Sequence, residues 1–363
     1  MLSKLDTENL EVQETLADLQ ARRPGHEEEA ITIYQSLLPK AQNPTPALHA
    51  LTRLYMVKKN PDRAWCTVQS LRLLKEINED EVNLHGKLTQ MVPNRAQKSL
   101  TDKLWDTHVI HERARIPMAV IAATLTKLAP AFLRPAKDFV GKKKEFTQLD
   151  WMQSLVFSAK QLAGVNTIFS GPPFALFQQK NSDAPPTLIP ALPLTIVVGE
   201  HNTLFKEVPA RVLWAMWGRV ISFLRPAFLL PRMLGPDQFR LMVEATLFIN
   251  DTAAKYRNDP RELEKVANTL IKIEGAAQIA GTLKNQVSRK EAPAVEQLYE
   301  GMEHSAVRAS LLAGNDVDIA IQVMKVADPQ SPPVPKNRMR ELVLYLVSDE
   351  YADLRNRLGL AIK

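Results

Sequence analysis

The sequence predicts a mainly α-helical protein that carries a small β-sheet, an α+β arrangement with helices at both ends. Three observations predict it. Apolar residues recur at helical spacing along most of the 363 residues, while only short apolar runs have the length and bounding turn residues of strands. Aromatic residues make up 6% of the chain, which argues against a strand-rich sandwich. Proline outnumbers glycine 25 to 13, the balance of helices separated by proline-marked turns. A hydrophobic fraction of 45% over this length is enough to bury a substantial core. Four regions are expected: helices over 1–80, a basic helical connection over 81–149, a helix-and-sheet domain over 150–327, and a linker with terminal helices over 328–363.

The first region carries an internal repeat. Ala30-Ile31-x-x-Tyr34-x-x-Leu37 returns 34 residues later as Ala64-Trp65-x-x-Val68-x-x-Leu71, and Leu48-x-x-Leu51-x-x-x-Tyr55 lies between them. Small Ala64 permits close approach of paired helices, and Leu48, Leu51, Tyr55, Val68 and Leu71 fill the seam. Over about residues 25–78 this period resembles the tetratricopeptide repeat, with Thr52 where that family usually has glycine. The resemblance implies a surface for peptides or other proteins, with Tyr55 and Trp65 as candidate partner-contacting residues. So short an array implies packing on later helices or on a partner chain. A plain antiparallel helical hairpin is the other reading. Cys66, the only cysteine, excludes an internal disulfide or a multi-cysteine metal site and reads as a buried thiol.

The net charge of +6 is concentrated in the middle, with 20 basic against 11 acidic residues over 81–240. Lys142-Lys143-Lys144, after Arg134 and Lys137, is the densest cluster and reads as a solvated loop, with phosphate or acidic-lipid contact as the alternative. No groove-reading motif, zinc finger or stacking signature accompanies it, so nucleic acid is not the expected partner. Residues 80–135 are expected to be helical, with breaks near Pro93 and Pro117. His108 and His111 stand there at i and i+3, a spacing that can share a metal; no third ligand follows, and they read as surface or packing histidines. The longest uncharged run, Gln161 to Gln179, contains Gly164, Asn166, Gly171, Pro172 and Pro173, so no membrane span is expected. The amino terminus opens polar, without the apolar core of a signal peptide, and the cytoplasm is the expected compartment.

From Asp150 to Leu162 a helix is expected, followed by apolar strand-type runs at Gly164–Phe169 and Phe174–Phe177, a proline-rich loop over Asn181–Pro193, and a buried strand at Leu194–Val198. Val208 to Leu224 reads as a helix that Pro226 stops. Helices are then expected over Asp237–Asn250, Pro260–Val287, Pro293–Leu312 and Asp316–Ala327, the last capped by Asn315 or Asp316. After the prolines of 328–335, Met339–Leu358 reads as two short helices divided at Ser348-Asp349-Glu350.

A strand feeding a helix, with Glu303-His304-Ser305-Ala306-Val307-Arg308 on a later helix, resembles the gluzincin metallopeptidases related to the CAAX prenyl protease over roughly residues 150–325. In that family the first helix carries HExxH and the later one ExxxDR. The resemblance implies a zinc held by two imidazoles one helical turn apart and a distant glutamate, with a glutamate base between the imidazoles. Here the best-aligned window holds Arg219 and Phe223 at the imidazole positions and Val220 at the base position. Glu303 and Arg308 fit the later motif, but Val307 replaces its aspartate. No zinc, other cofactor or peptidase activity is therefore expected. Arg219 and Glu303 either pair across the two helices, a cation standing where the metal would be, or point apart, Arg219 to solvent and Glu303 to Arg308 or a nearby lysine. Trp214 and Trp217 share a face, which either fills a helix–sheet core or lines an apolar groove for a partner.

The function expected is that of a non-enzymatic scaffold or protein-binding module. The alternative is a hydrolase using Ser305 or Ser222 with His304 or His201, although no Gly-x-Ser-x-Gly elbow supports it. A basic nucleic-acid-associated protein is the third reading.

Overall fold

The structure, a computed structural model, describes residues 9–115, 117–140, 145–152, 157–201, 208–286, 295–327 and 336–363. The Lys142-Lys143-Lys144 cluster and the prolines of 328–335 lie outside the described residues. Helices dominate and the strands form two small sheets, the α+β class expected. The chain forms two compact units, 1–100 with 311–363, and 101–310. That division cuts the chain differently from the four expected regions. The presumed connection over 81–149 is split between the units, and the carboxy-terminal helices belong with the amino-terminal ones.

The first unit begins with α1 (Leu10–Ala21), α2 (Glu27–Leu37), α3 (Thr45–Val57), α4 (Pro61–Leu74) and α5 (Glu79–Thr89). Helices α2 to α4 fall where the 34-residue spacing places them. Every repeated apolar position is buried: Ala30, Ile31, Tyr34 and Leu37 on α2, Leu48, Leu51 and Tyr55 on α3, and Ala64, Trp65, Val68 and Leu71 on α4. Local chemistry sets the ends. Asn60 Oδ1 accepts from Arg63 N at 3.1 Å, with Pro61 preset for the first helical position of α4. Asn78 and Glu81 form a reciprocal capping box that starts α5. Cys66 lies in the core, and burial pushes its thiol up to about 12.

Helix α4 is apolar on more than one face, and helices from late in the sequence cover the rest. These are α16 (Val317–Ala327), α17 (Lys336–Val347) and α18 (Asp349–Leu358), of which α16 and α17 pack directly on α4. Asp316 caps α16 through the amides of Asp318 and Ile319, and Ser348 Oγ caps α18 through Tyr351 N at 3.1 Å. A charged cluster lies beneath this layer. Arg355 is 1% exposed, and its guanidinium holds both carboxylate oxygens of Asp62, through Nη2 to Oδ1 at 2.6 Å and Nε to Oδ2 at 3.0 Å. Arg355 also donates to Leu360 O at 2.9 Å and to the Asn315 side chain. Asp62 Oδ1 accepts from Ile362 N at 2.9 Å, and Asn315 Nδ2 donates to Pro93 O at 2.9 Å.

His85 of α5 stacks on Trp65, with ring centroids 4.7 Å apart, and meets Gln69 and the Arg72 guanidinium. Burial first, and the Arg72 charge second, lower its pKa from 6.5 to about 4. The folded state thus prefers neutral His85. Its contribution to stability is complete above pH 6.5 and is lost as pH falls from 6.5 through about 4, because the unfolded chain takes up the proton first. Denaturant unfolding across this window should show a flatter pH dependence in His85→Gln than in the parent chain. Identical slopes would show that His85 does not titrate this way.

The second unit opens with α6 (Asp102–Leu104), which runs into a π-helical turn over Trp105–Val109. There follow α7 (Glu112–Arg115), α8 (Pro117–Leu125), a 3₁₀ turn over Thr126–Ala131, β1 (Arg134–Pro135), α9 (Ala136–Val140), β2 (Phe146–Leu149) and α10 (Phe157–Ile168). Strands β3 (Ala175–Gln179), β4 (Thr187–Ile189), β5 (Ala191–Leu192) and β6 (Thr195–Gly199) come next. One sheet has the order β2-β3-β6-β4, with β3 and β6 parallel and the outer pairings antiparallel; β1 and β5 form a separate parallel pair. All of β6 is buried, which is why it reads as an unbroken apolar run. The remaining helices are α11 (Ala210–Ser222), α12 (Pro226–Phe248), α13 (Pro260–Leu270), α14 (Ala276–Gln286) and α15 (Val295–Gly314), the unit division falling within α15.

Several expectations change in this unit, among them the helix start at Asp150, since Trp151 and Met152 form a turn, and the loop over Asn181–Pro193, which carries β4 and β5. Gly164–Phe169 is not a strand but the end of α10 and the residues after it. Leu162, Val165 and Phe169 are buried at helical spacing, and Gly164 admits the Trp214 ring of α11, which a strand would not align. Pro226 does more than stop α11: it occupies the first turn of α12, which runs to Phe248 with a kink at Gly235-Pro236. The single helix expected over Pro260–Val287 is two, α13 ending at Leu270 and α14 starting at Ala276, with Gly275 at a φ of +80° in the turn between them. Among the described residues no single helix is long and apolar enough to cross a membrane; only α11 and α12 together pass that test, bent by 84°.

Candidate functional site

Helices α11 and α15 bring the expected positions together. Arg219 is 7% exposed, and its Nη2 donates to Glu303 Oε2 at 2.6 Å. Arg232 of α12 donates to the other oxygen, Oε1, at 3.4 Å, so Glu303 bridges two guanidiniums. The Phe223 ring lies 5.3 Å from the Arg219 guanidinium carbon and 4.5 Å from that of Arg232, within range of a cation–π contact to each. Ser222 Oγ donates to Arg219 O at 2.6 Å. Val220 is half-buried, Val307 buried and Arg308 half-buried. Of the two arrangements weighed for Arg219, the structure has the paired one.

A second cluster uses another face of α15. Residues one apart on a helix are turned by about 100°, so His304 and Ser305 point away from the Arg219 pair toward the segment before α7. His304 stacks on His111, with centroids 4.7 Å apart. Ser305 Oγ accepts from His111 N at 2.8 Å and donates to Gly301 O at 2.6 Å, while His111 Nδ1 accepts from Arg113 N at 3.2 Å. Glu300 pairs with Arg113. Gly301 makes this approach possible: a Cβ there would lie 2.5 Å from Ala114 N. His108 and His111 do not share a helical face as their spacing implied, because the π-helical turn ends at Val109 and Ile110 is extended.

The serines expected in the hydrolase alternative spend their protons on main-chain carbonyls, Ser222 on Arg219 and Ser305 on Gly301, and His201 is exposed. Among the described residues no three His, Cys, Asp or Glu side chains gather closely enough to hold a metal ion. The four aromatic residues considered as partner contacts are all buried, which for Trp214 and Trp217 is the core-filling one of their two readings. Tyr55 accepts from Gln35 Nε2 at 3.1 Å, and burial raises its phenol to about 12. Trp65 lies under His85, Trp214 donates to the Gln161 side chain over Gly164, and Trp217 is fully enclosed. Each fills a helix seam, where a large ring contributes most burial.

Sequence reasoning missed the π-helical turn and the Gly301 contact. A glycine inside an amphipathic helix is the one signal that pointed to the second. No protein-family model, curated protein or solved structure matches the chain.

Proposed function

We propose that the protein is a non-catalytic scaffold or binding module, in which a metallopeptidase-like arrangement of helix and sheet is held by an ion pair where relatives of that kind hold a metal. The observation that supports this reading is the buried Arg219–Glu303 contact at 2.6 Å, with Arg232 on the second oxygen. A carboxylate committed to two guanidiniums has its charge compensated and both oxygens engaged, leaving it poorly placed to bind a metal. Tetratricopeptide-like helices α2 to α4 make a protein the proposed partner, on the resemblance alone.

The test is zinc loading of the purified chain, followed by metal analysis and a broad peptidase and esterase screen. The reading expects metal well below one equivalent, unaltered by Glu303→Gln, and no turnover with or without zinc. One equivalent of zinc that Glu303→Gln abolishes, or turnover that persists through purification, would overturn it.

A further inference from the structure

We propose that the 101–310 unit binds a short apolar peptide with free termini, its ammonium group meeting Asp106 and its carboxylate meeting Lys127 and Arg115. The place is a cleft of about 710 Å³, whose wall is mostly aliphatic and includes Ile110, Ala123 and Ala227. Small-molecule sites have this volume and this kind of wall, with a few polar groups that fix orientation. Asp106 and Lys127 both line it, yet among the described residues neither side chain has a hydrogen-bond or ion-pair partner, each other included. Both are exposed, and two opposite charges on an apolar cleft that do not pair with each other suit a ligand that is itself a zwitterion with an apolar body. A lone amino acid is small for the space, whereas an extended tripeptide spans about 10 Å.

The wall is built rather than incidental. Asp106 belongs to the π-helical turn, a geometry frequent at functional sites. Trp105 anchors that turn, buried and donating from Nε1 to Phe169 O at 3.0 Å, with the Arg225 guanidinium over its ring. Arg115 also lines the cleft, donating from Nε to Ile110 O at 2.7 Å and from Nη2 to Thr107 O at 2.8 Å, which holds its guanidinium in place. Gly301 and Ser305 of α15 hold the backbone at Ala114 and His111 beneath it. Such support positions polar groups before a ligand arrives.

The site does not depend on reading α11 and α15 as metallopeptidase-like, so the two proposals fail separately. The experiment is calorimetric titration of the full chain with Ala-Leu-Ala, its N-acetyl form, its C-terminal amide, and decanoate. The free tripeptide should bind one to one, and blocking either end should weaken it about 10-fold or more, the loss of one charge-assisted contact. Asp106→Asn should abolish the difference between free and acetylated peptide, and Lys127→Met that between free peptide and amide, with unfolding midpoints unchanged. Absence of binding at millimolar peptide, equal affinity for all three peptides, or decanoate binding as tightly as the tripeptide would overturn the proposal.

Discussion

Asp62→Ala is expected to lower the unfolding free energy by about 3–5 kcal/mol, the cost of leaving a buried cation without its counter-charge. Arg355 has no route to water: it is 1% exposed and bonded to Asp62, Asn315 and Leu360 at once. The same carboxylate accepts from Ile362 N, so its loss also orphans a buried amide. A double replacement by apolar residues of similar volume, Arg355→Met with Asp62→Leu, should recover much of the loss, because no charge then remains to be desolvated. Chemical denaturation followed by circular dichroism measures both. A cost below about 1 kcal/mol for Asp62→Ala, the range of exposed pairs, would mean that the cluster is hydrated in solution.

Glu303→Ala should cost somewhat less, about 2–4 kcal/mol, since Glu303 is more exposed than Asp62 while Arg219 is almost as enclosed as Arg355. The loss divides between a stranded guanidinium on α11 and a weakened hold on Arg232. Arg219→Met with Glu303→Leu should lie closer to the parent than either single change, and the coupling from that double-mutant cycle is the quantity to report. With two compact units, unfolding need not be a single transition. The Glu303 effect should then appear in the transition of residues 101–310, and the Asp62 effect in the other. A cycle that sums to zero coupling would show that the ion pair does not join the helices.

Much of the helical architecture was legible because helical periodicity is a local property. The 34-residue return of Ala30-Ile31 as Ala64-Trp65 located α2 and α4, and Ser348-Asp349 marked the start of α18. Strand β6 was legible for a related reason: buried on both faces, it cannot alternate. The end of α10 was misread because Val165, Ile168 and Phe169 are β-branched or aromatic, and intrinsic preference alone favours a strand there. Packing of Trp214 over Gly164 decides otherwise, and that contact joins residues far apart in sequence. At the candidate site, residue types predicted that Arg219 and Glu303 can pair, but only three-dimensional proximity chooses between that and solvent exposure. Asp62 with Arg355 was beyond reach for the same reason, as nothing local marks either residue as buried.

The separation of 293 positions between Asp62 and Arg355 bears on how the nascent protein matures. Translation delivers α4 early, yet the helices that cover it leave the ribosome only after the whole 101–310 segment has been made. That intervening segment is contiguous and can condense first, as domains generally do during synthesis. Until the last helices arrive, the exposed side of α4 is a natural target for chaperones, and ordering across so long a loop is slow.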